Sequence, residues 1–329
     1  MNSNRILLVT PYSLDDYGGV QNQVILAKKH LVKRGYDVRI FANGSTDYNN
    51  NDPVVIPFNG SKARVSLICN KIELSKALDW CDIIHIHGPF IPLIFWRINT
   101  KKKIVTTHHA NISKYISHLL KIIYKIFTKD LLIINTCVSK QSYFQAESLR
   151  KKPTIIPNYI AIQQFQKFNS NGFRLSFIGR NERRKGLNIF IKAIDSYLLN
   201  HFRPTVISNK KTNQIYVDSY INLNNTQKFE ILKESSVLVV PNTGGESFGI
   251  IILEGITNGC LVISSDLEAF INVLKTSGIY FKNRSHKDLN ITIKEVLSLD
   301  MEKLWLKQNA HIGMYDIEKI LDLIIELYK

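Results

Sequence analysis

Short apolar runs that alternate with helical patterns are the feature that most constrains how this chain can fold. Residues 5–10 contain an uninterrupted apolar run, residues 20–34 place apolar and basic residues on opposite helical faces, and residues 36–42 form the next strand pattern. Strands that are apolar on both faces belong to parallel sheets covered by helices. The sequence therefore predicts an α/β fold built from βαβ units.

The strand pattern starts twice, which predicts two domains. A chain of 329 residues exceeds one ordinary core, and the pattern restarts at residues 173–179 after an irregular polar stretch. We therefore predict a Rossmann-like domain at residues 1–160, a second at 161–310, and a helix at 311–329 that packs back on the first domain. Doubly wound parallel sheets of this kind, facing a central cleft, bind ligands at the carboxyl ends of their strands.

The alternation of helical and strand patterns continues through the second half of the chain. We predict one helix at residues 187–199, a short strand at 215–217, and helices at 285–299 and 317–328. The first three of these elements belong to the second domain, and the last lies within the C-terminal helix at 311–329.

An excess of positive charge points to an anionic partner. The chain has 43 basic and 27 acidic residues, a formal net charge of +16, which favours nucleotide phosphates, nucleic acid or an anionic membrane surface. No nucleic-acid-binding motif is visible and the basic residues are dispersed, so we expect no nucleic acid. The four cysteines lack CxxC spacing and no Asp-rich motif is present, so we expect no metal.

Residues 114–129 form a strongly amphipathic segment. Its basic residues share one helical stripe, namely Lys114, His118, Lys121 and Lys125, while apolar residues cover most of the remainder. A half-buried helix with a solvated basic face explains this pattern. A surface helix that contacts anionic lipid explains it as well, and the sequence leaves both open.

The segment 241–266 contains two carboxylates around a predicted helix start. Glu246 lies just ahead of Gly249, where the helix begins, and Glu254 lies eight residues after Glu246. Free N–H groups at a helix start bind anionic or hydroxyl-rich ligands, and the two carboxylates can hold two ends of an elongated polar ligand. They can also merely complement the helix N-terminus and face solvent.

A basic turn in the same domain favours the ligand interpretation. Arg180 ends a strand pattern, and Arg183, Arg184 and Lys185 precede a helix. Cations in these positions can neutralise a diphosphate, although a solvated basic turn has the same composition. In the first domain the glycine pair at the loop-to-helix junction is not a GxGxxG motif, which disfavours a nicotinamide cofactor.

These motifs resemble those of retaining glycosyltransferases of the GT-B fold. Arg180 and Lys185 followed by Glu246-x7-Glu254 are similar to that family's donor-site signature. The segments PYSLDDYGGVQNQV, PFNGSKAR, IPN, IGRNERRKG, PNTGGESFGIIILEG and SDLEAF resemble the actinobacterial phosphatidyl-myo-inositol mannosyltransferases over nearly the whole chain. The resemblance implies a cytoplasmic enzyme, peripheral on the inner face of the cell membrane, that moves mannose from GDP-mannose to the inositol 2-hydroxyl of phosphatidylinositol. It implies no cofactor besides the nucleotide sugar.

The resemblance also implies a donor site by matching position. Arg180 and Lys185 would bind the diphosphate, Glu254 the ribose and Glu246 the mannose. The remaining donor-site residues are those of the helix start and of the first glycine loop: Gly18, Gly19, Ser247, Phe248, Gly249 and Ile250. Arg180, Lys185 and Glu246 would act in catalysis together with His109, which would face the transferred sugar.

The acceptor site implied by the resemblance lies in the first domain, where Tyr12, Gln21, Arg64 and Lys114 would hold the inositol phosphate head group. His85 and His87 flank a buried strand, and we interpret them as structural.

Two departures from the family pattern leave alternatives open. The interval from Arg180 to Lys185 is one residue shorter than in the family, so Arg184 could replace Lys185 as the second phosphate ligand. The segment 203–227 is abbreviated, which leaves GDP and UDP both possible as the donor nucleotide. A hexosyltransferase acting on diacylglycerol or another polyol, and a degenerate lipid-binding protein without activity, are therefore alternatives.

Overall fold

The computed structural model describes residues 5–16, 18–58, 61–89, 98, 100–112, 114–149, 152–162 and 167–329. It divides into two compact units. The first consists of Met1–Ala161 and Tyr315–Lys329, and the second of Ile162–Met314. The second unit thus ends at Met314, whereas its end was predicted at residue 310, and residues 315–329 belong to the first unit.

The first unit is built on a parallel sheet with the strand order β3-β2-β1-β6-β7-β8-β9. Its strands are β1 (Arg5–Ser13), β2 (Asp37–Asn43), β3 (Tyr48–Asn49), β6 (Ile83–His87), β7 (Lys103–His108), β8 (Ile133–Cys137) and β9 (Thr154–Ile155). The strands β4 (Val54–Phe58) and β5 (Ser61–Val65) form an antiparallel pair, and β5 joins the end of β1 where Tyr12 pairs with Val65.

Helices cover this sheet on both faces. They are α1 (Gly19–Lys33), α2 (Lys71–Trp80), α3 (Lys114–Phe127), α4 (Lys140–Glu147) and the C-terminal helix (Ile317–Tyr328). Alternate residues of β1 enter two cores, because successive side chains of a strand point to opposite faces. Leu7 packs in the core that contains Tyr124 of α3, whereas Ile6 packs in the core that contains Leu31 of α1 and Leu321 of the C-terminal helix.

The second unit has a six-stranded sheet in the order β12-β11-β10-β13-β14-β15, with all strands parallel. The strands are β10 (Arg174–Ile178), β11 (Arg203–Ser208), β12 (Asp218–Ile221), β13 (Ser235–Val240), β14 (Leu261–Ser265) and β15 (Ile279–Phe281). Its helices are α5 (Leu187–Ala193), α6 (Ser196–His201), α7 (Asn225–Lys233), α8 (Ile250–Thr257), α9 (Glu268–Leu274), α10 (His286–Leu297) and α11 (Met301–Ile312). The C-terminal helix is hereafter α12.

Two local predictions in this unit were wrong. The predicted helix at 187–199 is divided into α5 and α6, because the Asp195 carboxylate accepts a hydrogen bond from the N–H of Leu198 at 3.1 Å and starts a new helix. The predicted strand at 215–217 is also displaced, since β12 begins only at Asp218.

Each sheet has one point at which the strand order reverses. In the first unit it lies between β1 and β6, and in the second between β10 and β13. Open α/β sheets bind ligands beside such a point, at the carboxyl ends of the strands. The loops at residues 13–19, 179–186 and 241–249 begin there, and they contain most of the predicted site residues.

Candidate functional site

A basic turn and an acidic loop are held against each other in the second unit. The turn Arg183–Lys185 follows β10, and the N–H of Thr243, in the loop after β13, donates a hydrogen bond to the Arg184 carbonyl at 2.7 Å. Gly186 ends the turn with a φ of 76°, and a Cβ there would lie 1.9 Å from the Pro241 carbonyl oxygen. Only glycine therefore permits this close approach of the two segments.

Glu246 is the acceptor around which this turn is arranged. Its Oε1 atom accepts hydrogen bonds from Lys185 Nζ at 2.5 Å, Asn242 Nδ2 at 2.6 Å and Arg184 Nη1 at 2.9 Å. Burial alone would raise the pKa of Glu246, but the charges of Lys185 and Arg184 and the hydrogen bonds outweigh it, so the pKa is lowered. Glu246 is therefore ionised at neutral pH.

A second carboxylate extends this cluster towards the end of β10. Glu182 lies 3.0 Å from Arg184 Nη2 and 3.8 Å from Arg180 Nη1. Three cations, Arg180, Arg184 and Lys185, thus accompany the carboxylates Glu182 and Glu246. Such a net-positive group at the end of a parallel strand can bind a diphosphate.

The other predicted donor residues surround the start of α8. Gly249 precedes the helix with a φ of 102°, and a Cβ there would approach the Phe270 ring to within 2.7 Å. Ser247 and the buried Phe248 connect Glu246 to this helix start, and Ile250 is its first residue.

Glu254 lies within α8, and its carboxylate is paired. It is largely buried, and its Oε2 atom lies 2.8 Å from the Nζ atom of Lys228 on α7. The structure thus places Glu254 in a buried ion pair rather than on the solvated helix face that was the alternative.

The predicted acceptor residues lie around the carboxyl end of β1 in the first unit. The pairing of Tyr12 with Val65 places Arg64 next to that end, and Arg64 Nη1 lies 3.2 Å from the Asp16 carboxylate in the glycine loop. The Nε2 atom of Gln21 donates to the Ser13 carbonyl at 3.3 Å. The side chain of Lys114 lies outside the described part of the chain.

Gly18 and Gly19 lead into α1 at this point. A Cβ at Gly18 would lie 2.2 Å from the Oε1 atom of Gln21, so the absence of a side chain makes room for the Gln21 amide. Gly19 is the first residue of the helix.

His109 follows β7 and belongs to a stack of buried histidines. Its Nε2 atom lies 3.1 Å from Nδ1 of His87, whose ring stacks on His85 with 4.3 Å between centroids. His85 is fixed by Tyr328 Oη at 2.7 Å and Thr107 Oγ1 at 2.8 Å. Burial lowers the pKa of His109 to about 4, an effect that the nearby Asn158 side chain opposes.

Several partners of these residues were not predicted from the sequence. Asn242, Lys228 and Asp16 each bind a predicted site residue, and His87, interpreted as structural, contacts His109. Asn242 could have been suspected, because a side-chain amide four residues before a buried glutamate can reach it. Lys228 and Asp16 are brought into place only by the tertiary fold.

Comparisons with known proteins assign this arrangement to a class of enzyme. The family model for Glycosyltransferase Family 4 matches residues 17–164, and the model for Glycosyl transferases group 1 matches residues 172–298. The chain is a glycosyltransferase of the GT-B fold. The predicted fold class, with two Rossmann-like parallel-sheet domains, and the predicted enzyme class are confirmed.

Relatives narrow the type of this glycosyltransferase. Phosphatidyl-myo-inositol mannosyltransferase of Mycobacterium leprae (strain TN) is 27% identical over 313 residues, which are 82% of this chain and 81% of that protein. Sucrose-phosphate synthase from Thermosynechococcus elongatus has a TM-score of 0.71 at 15% identity, over 99% of this chain and 98% of that one. The Anabaena protein HepE in complex with UDP has a TM-score of 0.67 at 14% identity, over 98% of each chain. The glycosyltransferase thus shares its fold with these proteins and is homologous to the mannosyltransferases.

Proposed function

We propose that this glycosyltransferase moves mannose from GDP-mannose to the inositol 2-hydroxyl of phosphatidyl-myo-inositol, with retention of configuration. We place it in the cytoplasm, peripheral on the inner face of the cell membrane. The observation that carries the proposal is the cluster of Arg180, Arg184 and Lys185 around Glu246, in a chain whose curated relatives are named phosphatidyl-myo-inositol mannosyltransferase.

The second unit has residues of matching chemistry for the diphosphate, the ribose and the mannose of the nucleotide sugar. The cations Arg180 and Lys185 bind the diphosphate, with Arg184 as an additional ligand, because positive charge stabilises the departing phosphate oxygens. Glu254 binds the ribose hydroxyls. Glu246 and the N–H groups at the start of α8 orient the mannose.

The transfer requires no nucleophile from the protein. The bond from mannose C1 to the β-phosphate oxygen breaks, and the acceptor hydroxyl oxygen forms its bond to C1 on the same face of the sugar. The hydroxyl proton passes to the departing phosphate. Tyr12, Gln21, Arg64 and Lys114 hold the inositol phosphate, and His109 faces the transferred sugar.

The decisive experiment is a transfer assay with radiolabelled GDP-mannose and vesicles that contain phosphatidylinositol. We expect a mannosylated lipid, and none when diacylglycerol replaces phosphatidylinositol. Absence of product over a range of vesicle compositions would contradict the proposal, and vesicle binding without product would instead favour a non-catalytic lipid-binding protein.

A second candidate donor class follows from the loop between β11 and β12. Residues 209–217 connect these parallel strands without a helix, although the crossover between parallel strands usually contains one. This loop belongs to the segment 203–227, whose abbreviation relative to the family leaves the nucleobase open, so a UDP-hexose is the alternative donor. Comparison of the melting temperature with GDP and with UDP distinguishes the two, because only a nucleotide that binds the folded state raises it.

A further inference from the structure

Three buried histidines form a chain of rings at the carboxyl ends of β6 and β7. His85 and His87 lie on one face of β6, because alternate residues of a strand share a face, and His109 directly follows β7. The rings of His85 and His87 lie face to face, with 4.3 Å between their centroids and 27° between their planes. The chain begins at α12, where the Tyr328 hydroxyl lies 2.7 Å from His85 Nδ1.

The contact between His87 and His109 is a hydrogen bond between ring edges. His87 Nδ1 lies 3.1 Å from His109 Nε2, while the ring centroids are 5.4 Å apart and the planes differ by 22°. The difference between the two distances corresponds to the extent of the two rings from centre to edge, so the contact between the nitrogens lies along the line that joins the ring centres. One of the two nitrogens must donate a proton and the other must accept it.

Both rings are neutral, so each carries a single N–H group. Burial lowers the pKa of His109 to about 4 and the pKa of His87 well below its usual value. A neutral imidazole has one donor nitrogen and one acceptor nitrogen. In one arrangement His87 donates from Nδ1, and His109 carries its own proton on Nδ1. In the other, His109 donates from Nε2, and His87 carries its own proton on Nε2.

The surroundings of His87 favour the first arrangement. The Nε2 atom of His87 is buried and has no hydrogen-bond partner among the residues that the structure describes. In the first arrangement this atom is an acceptor without a donor. In the second it is a buried N–H group without an acceptor, which is rarer in folded proteins. His87 is therefore the donor of the hydrogen bond to His109.

The surroundings of His109 favour the same arrangement. The Asn158 side chain raises the pKa of His109, which is the effect of an oxygen that accepts from the ring. Within the described part of the chain, His109 Nδ1 and Asn158 Oδ1 are both buried and neither completes a hydrogen bond. A proton on Nδ1 directs a donor at this acceptor, whereas an unprotonated Nδ1 would set two lone pairs against each other. The Nδ1–H group can also donate to a substrate hydroxyl.

We propose that His87 is a positioning residue, whose Nδ1–H group holds His109 in the tautomer that carries its proton on Nδ1. The face-to-face contact with His85 fixes the plane of the His87 ring. The inference rests on the proposed function for what His109 faces, which is the transferred sugar. Because Nε2 accepts from His87, His109 presents the sugar with one donor and no basic nitrogen. This agrees with a transfer in which the departing phosphate takes the hydroxyl proton.

The tautomer is measured by nitrogen-15 NMR of the full chain with labelled histidine. A protonated ring nitrogen and an unprotonated one differ in chemical shift, and the His109 resonances are those that disappear in the variant His109→Gln. We expect the wild-type protein, without donor or lipid, to carry the His109 proton on Nδ1 and to have an unprotonated Nε2. A proton on Nε2 would overturn the proposal without recourse to any variant of His87.

Asparagine and leucine at position 87 separate the hydrogen bond from the ring. The Nδ2 atom of asparagine is bonded to Cγ, as Nδ1 of histidine is, and can donate to His109, whereas leucine has nearly the same shape and cannot donate. We expect the His109 Nε2 resonance to move in His87→Leu and to stay near its wild-type position in His87→Asn.

The variant Tyr328→Phe is the control for this comparison. It removes the hydroxyl that bonds to His85, at the other end of the chain of rings, and should leave the His109 resonances in place. A His87→Leu spectrum equal to that of the wild type, or the same displacement in all three variants, would overturn the proposal.

The transfer assay distinguishes positioning from a general effect on packing. We expect kcat to fall by about tenfold to a hundredfold in His87→Leu, the factor that one lost buried hydrogen bond corresponds to, and to recover largely in His87→Asn. The Kd of GDP should be unchanged in both variants, because its proposed ligands lie in the second unit. An equal loss of kcat in both variants would show that the ring and not its hydrogen bond supports transfer, and would overturn the positioning role.

The NMR measurement fails separately from the proposed function. If His109 carries its proton on Nδ1 under the control of His87 but the wild-type protein mannosylates no lipid, the positioning stands and the proposed function falls. If the wild-type protein mannosylates phosphatidylinositol but carries the His109 proton on Nε2, the positioning falls and the proposed function stands.

Discussion

At the scale of single residues, Glu246 contacts the same cations that we propose as ligands of the donor diphosphate. Its Oε1 atom holds both Lys185 and Arg184, the cations that we propose as diphosphate ligands. The ion pairs keep these side chains oriented before the donor arrives, because removing the carboxylate would take away the counter-charge of the partly buried Lys185 and one of the two carboxylates that pair with Arg184. In the proposed complex, Lys185 and Arg184 contact both the diphosphate and Glu246.

This arrangement predicts that nucleotide affinity and turnover separate in the variant Glu246→Gln. The amide oxygen still accepts a hydrogen bond but no longer neutralises the cations, so we expect GDP to bind equally or more tightly. We expect transfer to fall by about a hundredfold or more, as is typical when a group that stabilises the transition state is removed. Calorimetric titration with GDP and the transfer assay measure the two effects.

Glu268→Gln on α9 is the control for this variant, since Glu268 lies at the start of a different helix and should affect neither quantity. Weaker GDP binding in Glu246→Gln would show that the carboxylate supports the nucleotide, and full turnover would remove Glu246 from the mechanism.

Site residues were predictable from the sequence where the chain itself brings them close. Glu246 and Glu254 are eight residues apart on one loop and helix, and they could be singled out from spacing. The partner of Glu254 could not, because Lys228 precedes it by 26 residues and reaches it at 2.8 Å only after α7 and α8 have packed on the sheet. Pair contacts of this kind are a property of the tertiary structure.

At the scale of elements, the glycine that ends the basic turn determines how closely the two segments of the candidate donor site approach each other. Gly186 has a left-handed backbone and lies against the Pro241 carbonyl. Gly35, which follows α1, also has a left-handed backbone with a φ of 87°, but a Cβ there would meet no atom within 4 Å. An alanine at position 35 would therefore introduce backbone strain alone, whereas an alanine at position 186 would introduce the same strain and a clash with Pro241.

We expect Gly35→Ala to lower the free energy of unfolding by about 1–2 kcal/mol, the cost of a left-handed conformation for a residue with a side chain. Gly186→Ala should lower it further, because the Pro241 segment must move, and should also weaken GDP binding. Chemical denaturation and calorimetry measure the two effects. Equal destabilisation by both variants, with GDP binding intact, would show that the approach to Pro241 does not matter.

The elements that were predictable are those with a strong local pattern. The helix at residues 317–328 was predicted with the bounds that α12 has, because its apolar period continues without a break. The pair β4 and β5 was missed as a unit, since its attachment to β1 depends on the long-range pairing of Tyr12 with Val65. The division at Asp195 depends on one capping hydrogen bond, which a helical period does not reveal.

At the scale of the whole molecule, the groups that respond to mild acid are concentrated in the first unit. Burial lowers the pKa of His85 and of His108 to about 3, that of His109 to about 4, and that of His87 well below its usual value. All four lie on β6 or β7 or directly after β7. They are neutral in the folded state at neutral pH.

The two units should therefore differ in stability as the pH falls from about 6.5 to 5. An unfolded histidine, with a pKa of about 6.5, takes up a proton in this range, whereas these four stay neutral while folded. The unfolded first unit thus binds more protons, and its stability is complete above pH 6.5 and falls by up to about 1.4 kcal/mol per pH unit for each histidine. We expect hydrogen exchange, corrected for intrinsic rates, to show protection lost in β6 and β7 but retained in β13 and β14 of the second unit.

The variant His108→Phe should reduce the pH dependence of the first unit's stability by the contribution of one histidine, because it removes one proton from the difference between the unfolded and folded states. Equal loss of protection in both units, or an unchanged pH dependence in His108→Phe, would show that the buried histidines do not govern the acid response.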